Sequence, residues 1–412
     1  MNNKYINYLI VAYAFCIPLS RVAIVTFSML LIILWIVSIK NDTRYYLKVL
    51  KNNKVIVTLG LLVLAYFVSL IYSDNLYEGF RHSYKYWYYL VIPVIMTKLE
   101  KQYISKAVSA FLLGMMISEI LSYGIFFELW SLNHGTPSDP SPFMNHLQYS
   151  MFLAFTALLV LNRVFNEQNI KYKIGYMIYF LTVTINLFIN GGRTGQVAFV
   201  VSIFIVGFLN IKNKFKSFIL ILMLISSILI TAYNFSPVFK NRVSQMKNNI
   251  EQTVQNNNFS TSVGIRLGFY IITWEIFKDH GLIGVGAGDV MDTVRDYANI
   301  LPYDFDKLKT MPNTHSDLLE IVITLGLVGV VLYLLLLYNI IKLNIQDKEY
   351  KNLPIIFVSV YFISSMFETM FHEQFSMAIF ALFVGLFLAE KRLEDNKVQN
   401  KECKEVKNEY NN

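Results

Sequence analysis

The chain has 412 residues, 55% of them hydrophobic and 16% charged, with a formal net charge of +8 and a mean hydropathy of +0.45. Soluble domains are about 45–50% apolar and about 25% charged, so this composition cannot cover a water-facing surface and excludes an ordinary soluble enzyme. The basic excess sits in short clusters between apolar runs, a pattern of membrane proteins rather than of nucleic-acid binders.

Val22–Ile39, Val55–Tyr72, Phe218–Tyr233 and Leu325–Leu337 carry no formal charge. Such runs read as membrane helices, because about 20 helical residues cross the hydrocarbon. The pattern predicts an all-α integral membrane protein of about twelve spans. They fall at 6–20, 22–39, 55–72, 84–97, 107–129, 146–161, 174–190, 194–210, 217–233, 314–341, 353–371 and 375–390. The first of these is followed by no small-residue cleavage site, so it is read as a retained helix. Of the 36 Lys and Arg, 24 fall in one set of loops and the tail. The opposite short loops hold only Arg21, Arg81, Lys85 and Arg193. That asymmetry puts both termini in the cytoplasm.

Residues 1–233 thus hold nine predicted spans, 234–313 form a large outer loop, 314–390 hold three more spans, and 391–412 are a charged cytoplasmic tail. Loops as long as 234–313 are usually functional. It opens with an Asn-rich stretch, Lys247–Asn258, and then predicts an amphipathic helix over Arg266–Lys278. Phe269, Tyr270, Trp274 and Phe277 suggest that this helix lies at the membrane interface. Eight basic and eight acidic residues balance in the loop, so it is no general polyanion trap. The tail from Glu390 is expected to be disordered. Cys16 and Cys403 lie in a span and in the tail, so no disulfide is expected.

The histidines His82, His134, His146, His280, His315 and His372 all fall on the outer side of this plan. None has zinc-site spacing, and no metal centre is expected. His315 stands in Pro312-Asn313-Thr314-His315-Ser316-Asp317, which opens a long apolar helix. Thr314 and Asp317 fit a capping box. That would put His315 in the first turn, where the helix dipole disfavours imidazolium and leaves the neutral ring a general base needs. Gly326 and Gly329 follow on the same helical face, which also fits simple helix packing.

Arg193 stands in the turn Asn190-Gly191-Gly192-Arg193-Thr194-Gly195. An Arg at a membrane edge marks function, and a glycine turn before a helix start offers free N–H donors to an anion. Arg266 could reach the same place, and two guanidiniums suit a pyrophosphate. Snorkelling anchors would read the same way. Gly284-x-Gly286-x-Gly288 has neither strand nor spacing for a nucleotide fingerprint and is read as a structural turn. Glu119, Glu320 and Glu368 fall within predicted spans and suggest a polar cavity.

The segment from His315 resembles the O-antigen ligase family. That family's motif is His, then Asn, Ser or Gln, nine residues, Gly, two residues and Gly. Here it reads His315-Ser316, residues 317–325, Gly326, two residues and Gly329. The resemblance extends to twelve spans, a large loop before the tenth, the Gly-Gly-Arg-Thr-Gly turn at Arg193 and Asn145-His146 at a span start. It also asks for a loop arginine, matched to Arg266 rather than Arg242 because Arg266 precedes the aromatic helix.

The resemblance implies a GT-C-like fold in the bacterial inner membrane, with the active site facing the periplasm. It implies glycosyl transfer that needs neither metal nor cofactor. The donor would be an undecaprenyl-diphosphate-linked glycan and the acceptor a sugar hydroxyl of lipid A-core, both held in membrane lipid. His315 would take the acceptor proton while Arg193 and Arg266 neutralise the diphosphate. His146, Gly326 and Gly329 would line the site. O-antigen polymerases and protein O-oligosaccharyltransferases share much of this plan. A twelve-span transporter is the alternative from another class, although the chain lacks the long cytoplasmic connection after the sixth span that transporters commonly show.

Overall fold

A computed structural model describes residues 3–40, 43–132 and 134–409, with side chains described to residue 397. The side chain of Cys403 therefore lies outside the described residues. All regular structure among the described residues is helical. Among the described residues, nine helices are long and apolar enough to cross a membrane. They are Arg21–Ile39, Lys54–Tyr72, Lys101–Phe126, His146–Asn166, Ile170–Ile189, Arg193–Asn210, Lys214–Phe235, Asp317–Ile341 and Gln374–Lys397. The other three predicted spans are helical but short. Asn3–Cys16 has 14 residues, Leu353–Ser365 has 13, and 84–98 is a 3₁₀ run that passes into an eight-residue α-helix.

Burial sorts the helices. In their most apolar 18-residue stretches, His146–Asn166 has 94% of its residues buried within the bundle and Gln374–Lys397 has 89%, whereas Arg21–Ile39 and Lys214–Phe235 each have only 17%. A helix apolar on every side belongs at the centre of such a bundle. Peripheral helices instead turn Met29, Ile33 and Ile36, or Leu222 and Met223, outward, where lipid takes the place of a protein partner. Around the two central helices Phe155 meets Phe357 and Phe383 edge to face, as Phe111 meets Phe383, with centroids 4.6–5.1 Å apart, while Phe357 and Phe383 stack at 5.7 Å; aromatic rings favour both arrangements.

The Asp317–Ile341 helix is broken at Gly326, which has φ +58° and ψ −148°. The segment 281–286 inserts into the break. Val285 and Gly286 N–H donate to the carbonyls of Ile323 and Thr324, at 2.8 and 3.0 Å. Leu327 and Val328 N–H donate to the carbonyls of Gly281 and Leu282, at 2.8 and 3.3 Å. These four groups would otherwise pair with one another inside the helix, so the insertion leaves none of them unmet, as a low-dielectric environment demands. A Cβ at Gly326 would lie 2.6 Å from the Leu282 carbonyl carbon, and one at Gly284 (φ +70°) would lie 2.4 Å from that of Thr324. Both glycines are required here.

The same segment is clasped from its other side. Ser69 and Ser73 hydroxyls accept from Ala287 and Gly288 N–H, each at 3.1 Å, and the Asp289 carboxylate accepts from Asp74 and Asn75 N–H. The Gly284–Gly288 motif is thus a structural turn, as its spacing suggests. Gly326→Ala should put an L side chain in a region open almost only to glycine, at a cost of about 1–3 kcal/mol. A lower thermal midpoint of the purified protein, and faster proteolysis within 281–288, are the expected results; an unchanged midpoint would remove the break from the account.

Residues 234–313 are mostly helical: Pro237–Asn256, Ser262–His280, Val290–Ile300 and Asp306–Lys309. The Asn-rich stretch from Lys247 is thus largely helical. The aromatic helix buries one apolar face against protein. Phe269, Ile272 and Ile276 are buried against Val294, Phe305, Leu308 and Leu319 in a second small core, while Leu267 and Trp274 point out. The tail also departs from expectation: one helix runs from Gln374 to Glu409. Lys391 pairs with Asp395 one turn on, at 2.8 Å, and the Glu394 carboxylate accepts from Gln346 and Asp347 N–H. The charged helix therefore has partners in the loop beside it.

Candidate functional site

His315 stands just before its helix and not in the first turn. Ser316 is the N-cap, its hydroxyl accepting from Leu319 N–H at 3.4 Å. The capping box fails because the Asp317 carboxylate is taken elsewhere, accepting from Phe371 N–H at 2.9 Å. His315 has a left-handed backbone, φ +54°, steadied by its own N–H donating to the Asn313 side chain at 3.1 Å. Its side-chain partner is Glu368. The Leu353–Ser365 helix ends before Glu368, which sits in the following turn rather than within a span. Its carboxylate lies 3.4 Å from His315 Nδ1. An ionised carboxylate only accepts, so the tautomer of a neutral ring that uses this pairing is the one with its proton on Nδ1 and a lone pair on Nε2.

Arg193 opens its helix as expected, but the neighbouring glycines serve packing. Added Cβ atoms at Gly192 and Gly195 would lie 2.3 and 2.1 Å from the carbonyl oxygens of His146 and Ser150. They let the Arg193–Asn210 and His146–Asn166 helices touch, and Gly195 N–H is used by the Ser150 hydroxyl. The close approach is therefore to protein rather than to a ligand. The Arg193 guanidinium donates to the Ser262 hydroxyl at 3.0 Å. Arg266, one turn along from Ser262, donates to the Ser262 and Phe367 carbonyls at 3.5 and 3.4 Å, while its buried Nε has no partner. Burial lowers Arg266 from the usual guanidinium range, opposed by the charge of Glu368. It remains a cation, since arginine does not lose its proton in proteins.

One cavity of about 260 Å³ gathers these groups: Arg193, Arg266, His315 and His146, with Arg242, Thr194 and Ser262 completing the polar lining. Arg242, passed over in the sequence in favour of Arg266, enters beside it, its guanidinium facing Gly191. None of the three arginines forms an ion pair among the described residues, and no acidic side chain lines the cavity. Three guanidiniums without a direct ion pair in one recess give it a positive potential that favours anions. At its edge His146 Nδ1 meets Asp139 at 3.0 Å. Burial would raise the Asp139 carboxyl, but the His146 hydrogen bond and charge, with Ser141, hold it below its usual range.

Gly326 and Gly329 do not line this cavity. Gly326 makes the helix break, and a Cβ at Gly329 would strike Leu325 at 2.4 Å, so both act through the backbone of the motif helix. Glu119 is buried mid-helix with neither oxygen partnered. Glu320 joins a constellation that spacing could not reveal. Its carboxylate lies 2.6 Å from His82 Nε2, and the His82 ring stacks on His372 at 3.4 Å. Ligand-type atoms of the three lie within 4.8 Å of one another. They line a second, larger cavity of about 570 Å³.

A bundle of apolar helices with a cationic recess at one end, walled by a docked helical segment, defines a multi-pass membrane protein. Residues 178–334 match the family model described as O-antigen ligase, so the resemblance to the O-antigen ligase family is shown for the segment that carries Arg193, Arg242, Arg266, His315, Gly326 and Gly329. The match supports glycosyltransferase activity of the ligase and polymerase kind in general. No curated protein matches the chain.

Proposed function

We propose that the protein is an O-antigen ligase, moving a glycan from undecaprenyl diphosphate to a sugar hydroxyl of lipid A-core. The observation that carries this is the meeting of three unpaired arginines and His315 in one recess. In the transfer, the acceptor oxygen bonds to the anomeric carbon, the bond from that carbon to the phosphate oxygen breaks, and its electron pair leaves with the diphosphate. His315 Nε2 takes the hydroxyl proton, with Glu368 orienting the ring and balancing the imidazolium. Arg193, Arg242 and Arg266 meet charge where it grows, the usual largest contribution in such sites. The arginines fill the place a cation would otherwise take, so the reaction is expected to run in EDTA.

In this reading all twelve apolar segments cross the inner membrane, both termini are cytoplasmic, and 234–313 lies on the periplasmic face over the recess. The basic residues set that orientation. Mass analysis of surface glycolipid in a deletion strain is the test. Loss of the long glycan from lipid A-core, with lipid-linked glycan accumulating, is expected. Glycan shortened to one repeat would make the protein a polymerase, and an unchanged glycolipid would overturn the reading.

A further inference from the structure

The donor reading leaves the 570 Å³ cavity without an occupant, although a single wall divides it from the arginine recess. Asn313 holds His315 N–H through its carbonyl and donates to the Thr369 hydroxyl at 3.3 Å; Asn313 and Thr369 line the larger cavity, while His315 lines the smaller. Glu368, which touches His315, precedes Thr369. Whatever sits in the larger cavity is therefore next to His315.

The two linings differ in kind. The recess has three arginines and no acid, whereas the larger cavity sets Glu78, Asp292, Glu320 and Glu373 among its cations. Arg81 is paired with Glu78 at 3.2 Å and Arg295 with Asp292 at 2.6 Å. A second polyanion would gain little there. In the cluster, His82 Nδ1, Glu320 Oε2 and His372 Nε2 are buried without a hydrogen-bond partner, and such atoms call for one. Burial, with His82 and Lys85 nearby, holds His372 well below the usual imidazole range, so its ring is neutral and both donates and accepts.

Hydroxyls also donate and accept, so a polyhydroxyl ligand satisfies all three atoms. A cation fits less well. His82 Nε2 and Glu320 Oε1 already bond each other, and two imidazoles on one ion would spread apart rather than stack at 3.4 Å. The volume lies in the usual range for small-molecule sites, about 300–1,000 Å³.

We propose that the larger cavity is the acceptor subsite, where Glu320, His82 and His372 hold a hydroxyl-rich saccharide and bring one of its hydroxyls to His315 from the Asn313 side. The proposal rests on the reading of the arginine recess as the donor site. Its test is binding to the full chain in nanodiscs, with deacylated lipid A-core oligosaccharide as one probe and undecaprenyl diphosphate as the other. Glu320→Gln and His372→Ala should weaken the saccharide at least tenfold and leave the diphosphate within twofold. Asp292→Trp, on the exposed rim, obstructs the mouth without touching the buried cluster and should do the same. Arg193→Ala should show the reverse selectivity.

Saccharide affinity unchanged in all three variants, with the diphosphate still lost in Arg193→Ala, would overturn the subsite and leave the donor reading intact. Wild-type protein that ignores the diphosphate would overturn both. One equivalent of a transition metal retained by wild type and lost in His372→Ala would give the cluster to a cation instead.

Discussion

Replacing His315 by alanine is expected to lower glycan transfer by about 10²–10⁴-fold, the usual contribution of a positioned general base. Undecaprenyl diphosphate binding should change little, because Nε2 acts on the acceptor proton and the diphosphate is held by the arginines. Glu368→Gln should fall between wild type and His315→Ala, since it keeps the hydrogen bond to Nδ1 and loses the charge that balances imidazolium. Turnover and binding are measured separately on purified protein with lipid-linked donor and acceptor. Near-wild-type turnover in His315→Ala would end the general-base assignment.

Arg193→Ala and Arg266→Ala should harm both binding and turnover, since phosphate charge is present before the bond breaks and grows as it does. A hydrogen bond to a charged group contributes about 1.5–3 kcal/mol, so each loss should weaken undecaprenyl diphosphate by about 10–100-fold. Arg242→Ala should act in the same direction, which distinguishes a three-arginine recess from the pair expected from sequence. Lysine at any of these positions should rescue only in part, because a point charge cannot replace the bidentate fork. The measurement is an affinity series at fixed ionic strength with EDTA present. If the wild type needed a divalent cation to bind, the arginines would lose the role given to them.

The apolar runs make the helices legible, and His315, Arg193, Arg266 and His146 stand out in the sequence and meet in the recess, whereas Gly326 and Gly329 do not line it. What stayed hidden depended on partners distant in sequence. Thr314 and Ser316 are both competent caps, and Phe371 N–H decides between them by engaging Asp317. The break at Gly326 is invisible in an unbroken apolar run, because the groups that fill it come from 281–286. Glu368 falls in an apolar stretch that predicts a span, but the helix ends at Ser365 and leaves it in the following turn. The tail looked too charged to fold, yet Glu394 finds backbone donors at 346 and 347. The cluster of His82, Glu320 and His372 joins positions too far apart for any spacing rule.

The most direct measurement is a cryo-EM map of the protein in nanodiscs with undecaprenyl diphosphate. The account predicts diphosphate density among Arg193, Arg242 and Arg266, with guanidinium-to-oxygen distances of about 2.7–2.9 Å and His315 beside the outer phosphate. Diphosphate density elsewhere on the protein, with this recess left clear, would contradict it.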